Sequence, residues 1–250
     1  MNHNRIETVH SQSSAQLAKA DSPASLADQA YLLIQERILR GELPLGTPLS
    51  RRETAREFQM SLVPISEAFQ RLEADGLLES RPRVGTRVRI PTEDDILGMY
   101  VVREALESQA ARLFTTRASL EERHELRRLA KQMDTLFTRA VANLDPDFVF
   151  AVNSFHLQLH MRIAEGARCP ALKEGIEKKQ VLIFNWIYDL WARRPVPPDF
   201  HTELAQHLTS GDEQEADAAM RSHIRFGLDE LIAAIRPQTG EWRLRVKANR

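Results

Sequence analysis

His156, His201 and His223 are the residues of this 250-residue chain whose type and setting most invite chemistry. Each lies among apolar residues at helical spacing: Val152 and Leu159 for His156, Leu204 and Leu208 for His201, Ala219 and Phe226 for His223. Three imidazoles brought together at the centre of a helix bundle would hold one divalent metal ion of the Zn, Ni or Mn class, each ring's other nitrogen being oriented by an acceptor. A lone buried histidine is more often a hydrogen-bonded core group, so convergence of the three is the feature that matters. His160, one turn beyond His156, offers a further ring for a shifted site, against a plain packing role. Arg103 falls on an inward helix face, four residues after Met99 and three before Leu106, where a guanidinium needs an anion. Two anions present themselves: Glu107 at i+4, or the carboxylate of a small effector. Asn153, beside Val152, and Asn185, with Trp186 and Tyr188, are the polar groups expected around such an effector, ordinary packing being the alternative. A three-histidine site with an open position also fits a metal-dependent hydrolase. Against that stands the lack of an obvious base, the polar neighbours at helical spacing being Asn153 and His160.

A second constellation occupies residues 49–90. Ser50-Arg-Arg-Glu53 has the form of a capping box, so a short helix starts near Arg51. Ser61 reads as the N-cap of a second helix with Pro64 in its first turn, and Ile65, Ala68, Phe69 and Leu72 form its apolar stripe up to Asp75-Gly76. Leu77 to Ile90 then gives two strand-like runs around a Pro/Gly turn. Two helices, a tight turn and a basic hairpin make a winged helix-turn-helix, which places its second helix in a DNA major groove. Arg81, Arg83, Arg87 and Arg89 face no acid between residues 81 and 90, an electrostatic footprint for phosphate. The DNA contacts expected from this reading are Arg51, Arg52, Ser61, Gln70, Arg71, Arg81, Arg83, Gly85, Thr86 and Arg87.

Composition limits the partners. The formal charge is −1, so any nucleic-acid surface must be local. From residue 24 to 91 ten arginines and no lysine face nine acids, a balance of +1, so only the crowding of arginines at 51–56 and 81–89 favours DNA. A single cysteine, Cys169, excludes an intramolecular disulfide framework and a Cys-rich zinc finger. No run approaches the roughly 20 apolar residues that span a bilayer, and no signal peptide is evident, so a cytoplasmic protein with no membrane partner is expected.

These elements must be carried by a mainly α fold. Residues 1–23 read as a disordered polar arm, 24–91 as the winged helix-turn-helix, 92–236 as an all-α antiparallel bundle for ligand binding and dimerisation, and 237–250 as a basic tail. A support helix from about Ser25 to Arg40 shows Leu26, Ala30, Leu33, Ile34 and Ile38 as one stripe, ended by Gly41. Thr92 with Asp95, and Ser119 with Glu122, mark two further helix starts, running to about Thr116 and Val141. Asp145-Pro146 opens the next, to about Glu165. A fourth bundle helix is expected to about Trp191, then a Pro-rich link at 194–198, a fifth helix from about Asp199 to Thr209, and a last one to about Ile235.

Residues 26–90 resemble the DNA-binding domain of the GntR family of bacterial transcription regulators. The matching segments are Gly41-Glu-Leu43-Pro-Leu-Gly46-Thr-Pro-Leu49, then Ser61-Leu-Val-Pro64-Ile-Ser-Glu67-Ala68-Phe-Gln-Arg-Leu72-Glu-Ala-Asp-Gly76-Leu77, then Val84-Gly85-Thr86. Leu62 and Ser66 stand where the family usually has arginines on the recognition helix. The bundle is similar to the FCD domain of FadR-type members, through Val102-Arg103-Glu-Ala-Leu106-Glu107, Phe155-His156, His201 and His223. Val152 stands where an aspartate usually precedes the first histidine. The resemblance implies a homodimeric regulator that binds a double-stranded DNA operator and responds to a small effector, an organic acid with a carboxylate, with His156, His201 and His223 as metal ligands. A DNA-binding dimer that takes no effector is the remaining alternative.

Overall fold

The computed structural model describes residues 25–143, 145–179 and 196–235. The expectations for residues 1–23, for the fourth bundle helix beyond residue 179, for the start of the Pro-rich link, for Asn185, Trp186 and Tyr188, and for 237–250 lie outside them. In order come α1 (Leu26–Leu39), β1 (Pro48–Leu49), α2 (Arg51–Glu57), α3 (Leu62–Ala74), β2 (Leu78–Arg81), β3 (Gly85–Val88), α4 (Glu93–Arg117), α5 (Leu120–Ala140) and α6 (Pro146–Gly166). Residues 170–179 are helical, and α7 (Phe200–Leu208) and α8 (Glu213–Ile235) follow.

The first six elements make a winged helix-turn-helix. α3 packs on α1 and α2 through Ile65, Ala68, Phe69 and Leu72, all fully buried. β2 and β3 pair antiparallel, with Leu78 opposite Val88 and Arg81 opposite Gly85. The chain also adds β1 on the far side of β3, pairing Leu49 with Thr86, which completes a three-stranded sheet. The two residues of β1 carry no period of two long enough to be read in advance. The support helix turns a slightly different face inward than its sequence suggests: Ala27, Ala30, Ile34 and Ile38 are buried, whereas Leu26 and Leu33 are exposed.

Capping explains most helix starts. Ser25, Thr92 and Ser119 form complete capping boxes with Asp28, Asp95 and Glu122, and Asp145 accepts from the Phe148 amide ahead of Pro146. Two caps differ from expectation. Ser50 accepts from the Glu53 amide with no reciprocal bond from Glu53, and Ser61 makes no side-chain cap bond.

In the second unit α8 lies along α4, α5 lies against α6 and α7, and α7 meets α8. Tyr100, Phe114, Leu126, Met133, Phe137, Leu159, Leu208, Met220 and Ile224 fill the space between them. Gly166 at the end of α6 sits against the Phe114 ring of α4. A Cβ there would stand 2.5 and 2.6 Å from two ring carbons, inside contact distance. Gly166→Ala should therefore lower stability by about 1–3 kcal/mol, the overpacking cost outweighing the gain in helix propensity. Thermal or urea denaturation of the two proteins measures it.

Candidate functional site

The bundle gathers all three expected histidines, and a fourth. His156, His201 and His223 each offer a ring nitrogen, the three lying within 4.8 Å of one another. They come from α6, α7 and α8. His160, one turn along α6, places its Nε2 3.1 Å from His156 Nε2 and 3.2 Å from His223 Nε2. His160, His201 and His223 are buried, and His156 is half-buried. Phe137 stacks on the His201 ring and Phe200 on the His223 ring, so aromatic walls close the cluster.

Two carboxylates hold this group of rings. Glu107 on α4 is buried between Arg103, whose Nε donates to it at 2.6 Å, and His160, whose Nδ1 lies 2.5 Å away. Burial alone would raise the Glu107 pKa. The Arg103 and His160 charges and their hydrogen bonds overcome it and pull the carboxyl down to about 2. Because the carboxylate can only accept, His160 carries its hydrogen on Nδ1 and turns Nε2 toward the other rings. On the opposite side, Asp134 of α5 accepts from His201 Nδ1 at 2.8 Å, which turns the His201 lone pair to Nε2. That Nε2, and Nδ1 of His223, are buried without a hydrogen-bond partner.

Asp134 does a second job. Asp199, the residue before α7, has a left-handed backbone (φ 58°) and makes no side-chain cap. Instead Asp134 accepts from the backbone N–H groups of His201 (2.9 Å) and Thr202 (3.0 Å) and from the Thr202 hydroxyl (2.7 Å). One carboxylate from α5 thus caps α7 and orients its histidine. The sequence separation of 67 residues hid it from local reading.

Of the expected effector groups, Arg103 is buried in its pair with Glu107, with its guanidinium over the Tyr100 ring. Asn153, three residues before His156, is half-buried and its amide nitrogen is without a hydrogen-bond partner.

The DNA-facing set divides in two. Arg51 reaches Glu73 (2.9 Å) and Thr86 (3.1 Å), tying α2 to α3 and the wing, and Thr86 is buried against Ser80. Arg71 pairs with Asp28 at 2.6 Å and lies over Tyr31, facing α1. Arg87 pairs with Glu79 at 2.5 Å, and Arg81 lies 3.6 Å from the same carboxylate. Arg52, Ser61, Gln70, Arg81, Arg83 and Gly85 are exposed, Arg83 and Gly85 forming the wing turn with φ of 66° and 100°. Arg56, also exposed, joins Arg52 on α2.

A winged helix-turn-helix joined to an all-helical bundle with a buried imidazole cluster has the architecture of a DNA-binding regulator with a separate C-terminal domain. Comparison with known proteins agrees. Residues 26–88 match the model of the bacterial regulatory proteins of the gntR family and residues 98–226 that of the FCD domain. The chain is 33% identical over 208 residues to a probable D-xylose utilization operon transcriptional repressor of Paenarthrobacter nicotinovorans, covering 80% of this chain and 86% of that protein. It is 26% identical over 218 residues to the HTH-type transcriptional repressor RspR of Escherichia coli K12, covering 86% and 92%. The structure of E. coli McbR/YncC shares its fold, with a TM-score of 0.67 at 21% identity over 84% of this chain and 99% of that one. The protein belongs to the GntR family and carries a C-terminal FCD domain, the effector-binding unit of a DNA-binding transcription regulator rather than an enzyme. Among the described residues no helix is long and apolar enough to cross a membrane.

Two measurements check this account of the site. Asp134→Ala removes the cap of α7 and leaves two part-buried amides unpaired, so it should cost about 1–3 kcal/mol in chemical denaturation. The second concerns pH. Burial, reinforced by the neighbouring imidazoles, holds His156 and His223 well below their usual pKa. Unfolded imidazoles titrate near 6.5 and the folded ones stay neutral, so below that pH only the unfolded chain gains these protons. Stability of the metal-free protein is full above pH 6.5 and should fall between pH 6.5 and 5, by up to about 1.4 kcal/mol per imidazole per pH unit. Denaturant midpoints across that range measure the fall, which should shrink in a His156→Leu, His223→Leu variant.

Proposed function

We propose that the protein is a homodimeric regulator whose FCD chamber holds one divalent metal ion on its imidazoles and uses it to bind a small organic acid, altering operator affinity. The observation that carries this reading is the cluster of ring nitrogens backed by Glu107 and Asp134. In a tetrahedral zinc site with bonds of 2.0–2.1 Å, ligand nitrogens stand about 3.3 Å apart. The His160 contacts to His156 and His223, at 3.1 and 3.2 Å, are close to that spacing. The partnerless Nε2 of His201 is a donor atom awaiting an acceptor of its lone pair. His156, His201 and His223 would hold the ion, with His160 as the fourth donor where Val152 provides no carboxylate.

A bound cation would supply a fixed positive charge to attract an anionic effector. Asn153, with its unpartnered amide, would donate to an effector oxygen. Arg103 serves such a ligand indirectly, by keeping Glu107 ionised so that His160 stays oriented. Coupling to DNA requires only a differential affinity of about 1–3 kcal/mol between two dimer geometries.

The test is thermal melting of the full chain after chelation, then with added Zn, Ni or Mn salts. A metal at about 100 times its Kd should stabilise the wild type by about 2.7 kcal/mol, seen as a shift of several degrees. His201→Ala should lose most of that shift while still retarding a fragment of its own upstream DNA. A wild type indifferent to every metal would leave the DNA-binding dimer without a metal-held effector as the better description.

A further inference from the structure

The exposed face of α3 is apolar where it would first meet DNA. The helix buries Pro64, Ile65, Ala68, Phe69 and Leu72 against its own domain and turns Leu62, Val63, Glu67 and Gln70 outward. Leu62 is 48% exposed and Val63 67%, large aliphatic side chains in the first turn with nothing in the fold covering them. In a helix-turn-helix the N-terminal residues of the second helix meet base edges in the major groove. No cation is free to do so from this helix, because its arginine, Arg71, is held by Asp28 and Tyr31. Arg51, which precedes it on α2, is held by Glu73 and Thr86. Guanine recognition by a bidentate arginine therefore has no source on this face, and Glu67 adds negative charge beside it.

The apolar group that a natural base pair presents in the major groove is the thymine C5 methyl. We infer that Leu62 and Val63 are specificity-determining residues that read thymine by packing on its methyl group. Two branched side chains in adjacent positions present a surface wide enough for methyls on consecutive base pairs. Gln70, two turns further along the same face, is placed for a hydrogen-bonded contact to a neighbouring base. Orientation and gross affinity come from elsewhere: Arg52, Arg56 and Arg83 are exposed and make no ion pair to a described residue, leaving their charge for phosphates. The work is thus divided between arginines that hold the backbone and aliphatic side chains that distinguish bases.

The full-length protein would be used to select duplexes from a random pool, and the recovered sequence resynthesised with uracil replacing thymine one position at a time. Uracil pairs as thymine does and lacks only the methyl. Fluorescence anisotropy should show wild-type binding weakened about fourfold at each contacted position, the effect of one lost buried carbon. A Leu62→Ala, Val63→Ala variant should bind the thymine and uracil duplexes equally, while keeping the salt dependence of wild-type binding to unselected DNA. Both side chains are exposed and alanine favours helix, so the variant should melt as the wild type does. Equal wild-type affinity for thymine and uracil at every position would overturn the inference. So would a selected sequence without thymine at a fixed position, or full thymine preference retained by the variant. If the double substitution changed only the oligomeric state, the patch would be a protein contact and the inference would fall.

Discussion

Four imidazoles cannot be buried side by side unless each is turned the right way and its polar neighbours are matched to it, and this constraint governs the bundle. Isolated charge in such a place costs many kcal/mol, and an unpaired polar atom about 1–3. Glu107 and Asp134 meet the requirement from two sides. Glu107 remains ionised because Arg103, a second buried charge, stands one turn before it on α4. The guanidinium, the carboxylate and the His160 ring form one buried chain in which removal of any member exposes the next. Asp134 links the same cluster to the fold itself, since the carboxylate that orients His201 is also the cap of α7. Helix placement and imidazole orientation are therefore one problem with one solution.

The reader obeys a different logic. Its arginines are numerous, and several of them hold the module together. Arg51 joins two helices and the wing, Arg71 joins α3 to α1, and Arg87 crosses the hairpin to Glu79. In a domain of this size, long side chains with planar forks brace the elements where the apolar core is thin. The exposed arginines not engaged in this way are a smaller set at the periphery, on α2 and at the wing turn. This explains why a domain whose charge is nearly balanced can still present a positive rim. It also explains why arginine count alone overstates the contact surface.

Much of the architecture was legible beforehand. Capping motifs at Thr92, Ser119 and Asp145 and the proline and glycine breaks located α4, α5, α6 and α7 to within a residue or two, because caps are satisfied by atoms three residues away. The helix-turn-helix and hairpin were equally plain, and so were three of the four histidines as a group. Exceptions share a cause. Ser50 and Ser61 have the right residue types and make half a box or no cap bond, since residue type permits a cap bond without fixing the side-chain rotamer that makes it. β1 needed β3 to exist at all, and the inward face of α1 shifted by one residue to fit α3.

Sequence by itself determined the class of protein, the order of its helices and hairpin, and the candidate residues for a metal or DNA. These depend on periodicity, caps and motif spacing, all expressed within about one or two helical turns. Tertiary structure alone decided which charges are spent on the fold and which are left for partners. Glu107 meeting His160, Asp134 serving His201 across 67 residues, and Arg71 folding back onto α1 are pairings between segments distant in the chain. Their energies depend on burial and on separations of a few ångströms, quantities that exist only once the helices have packed.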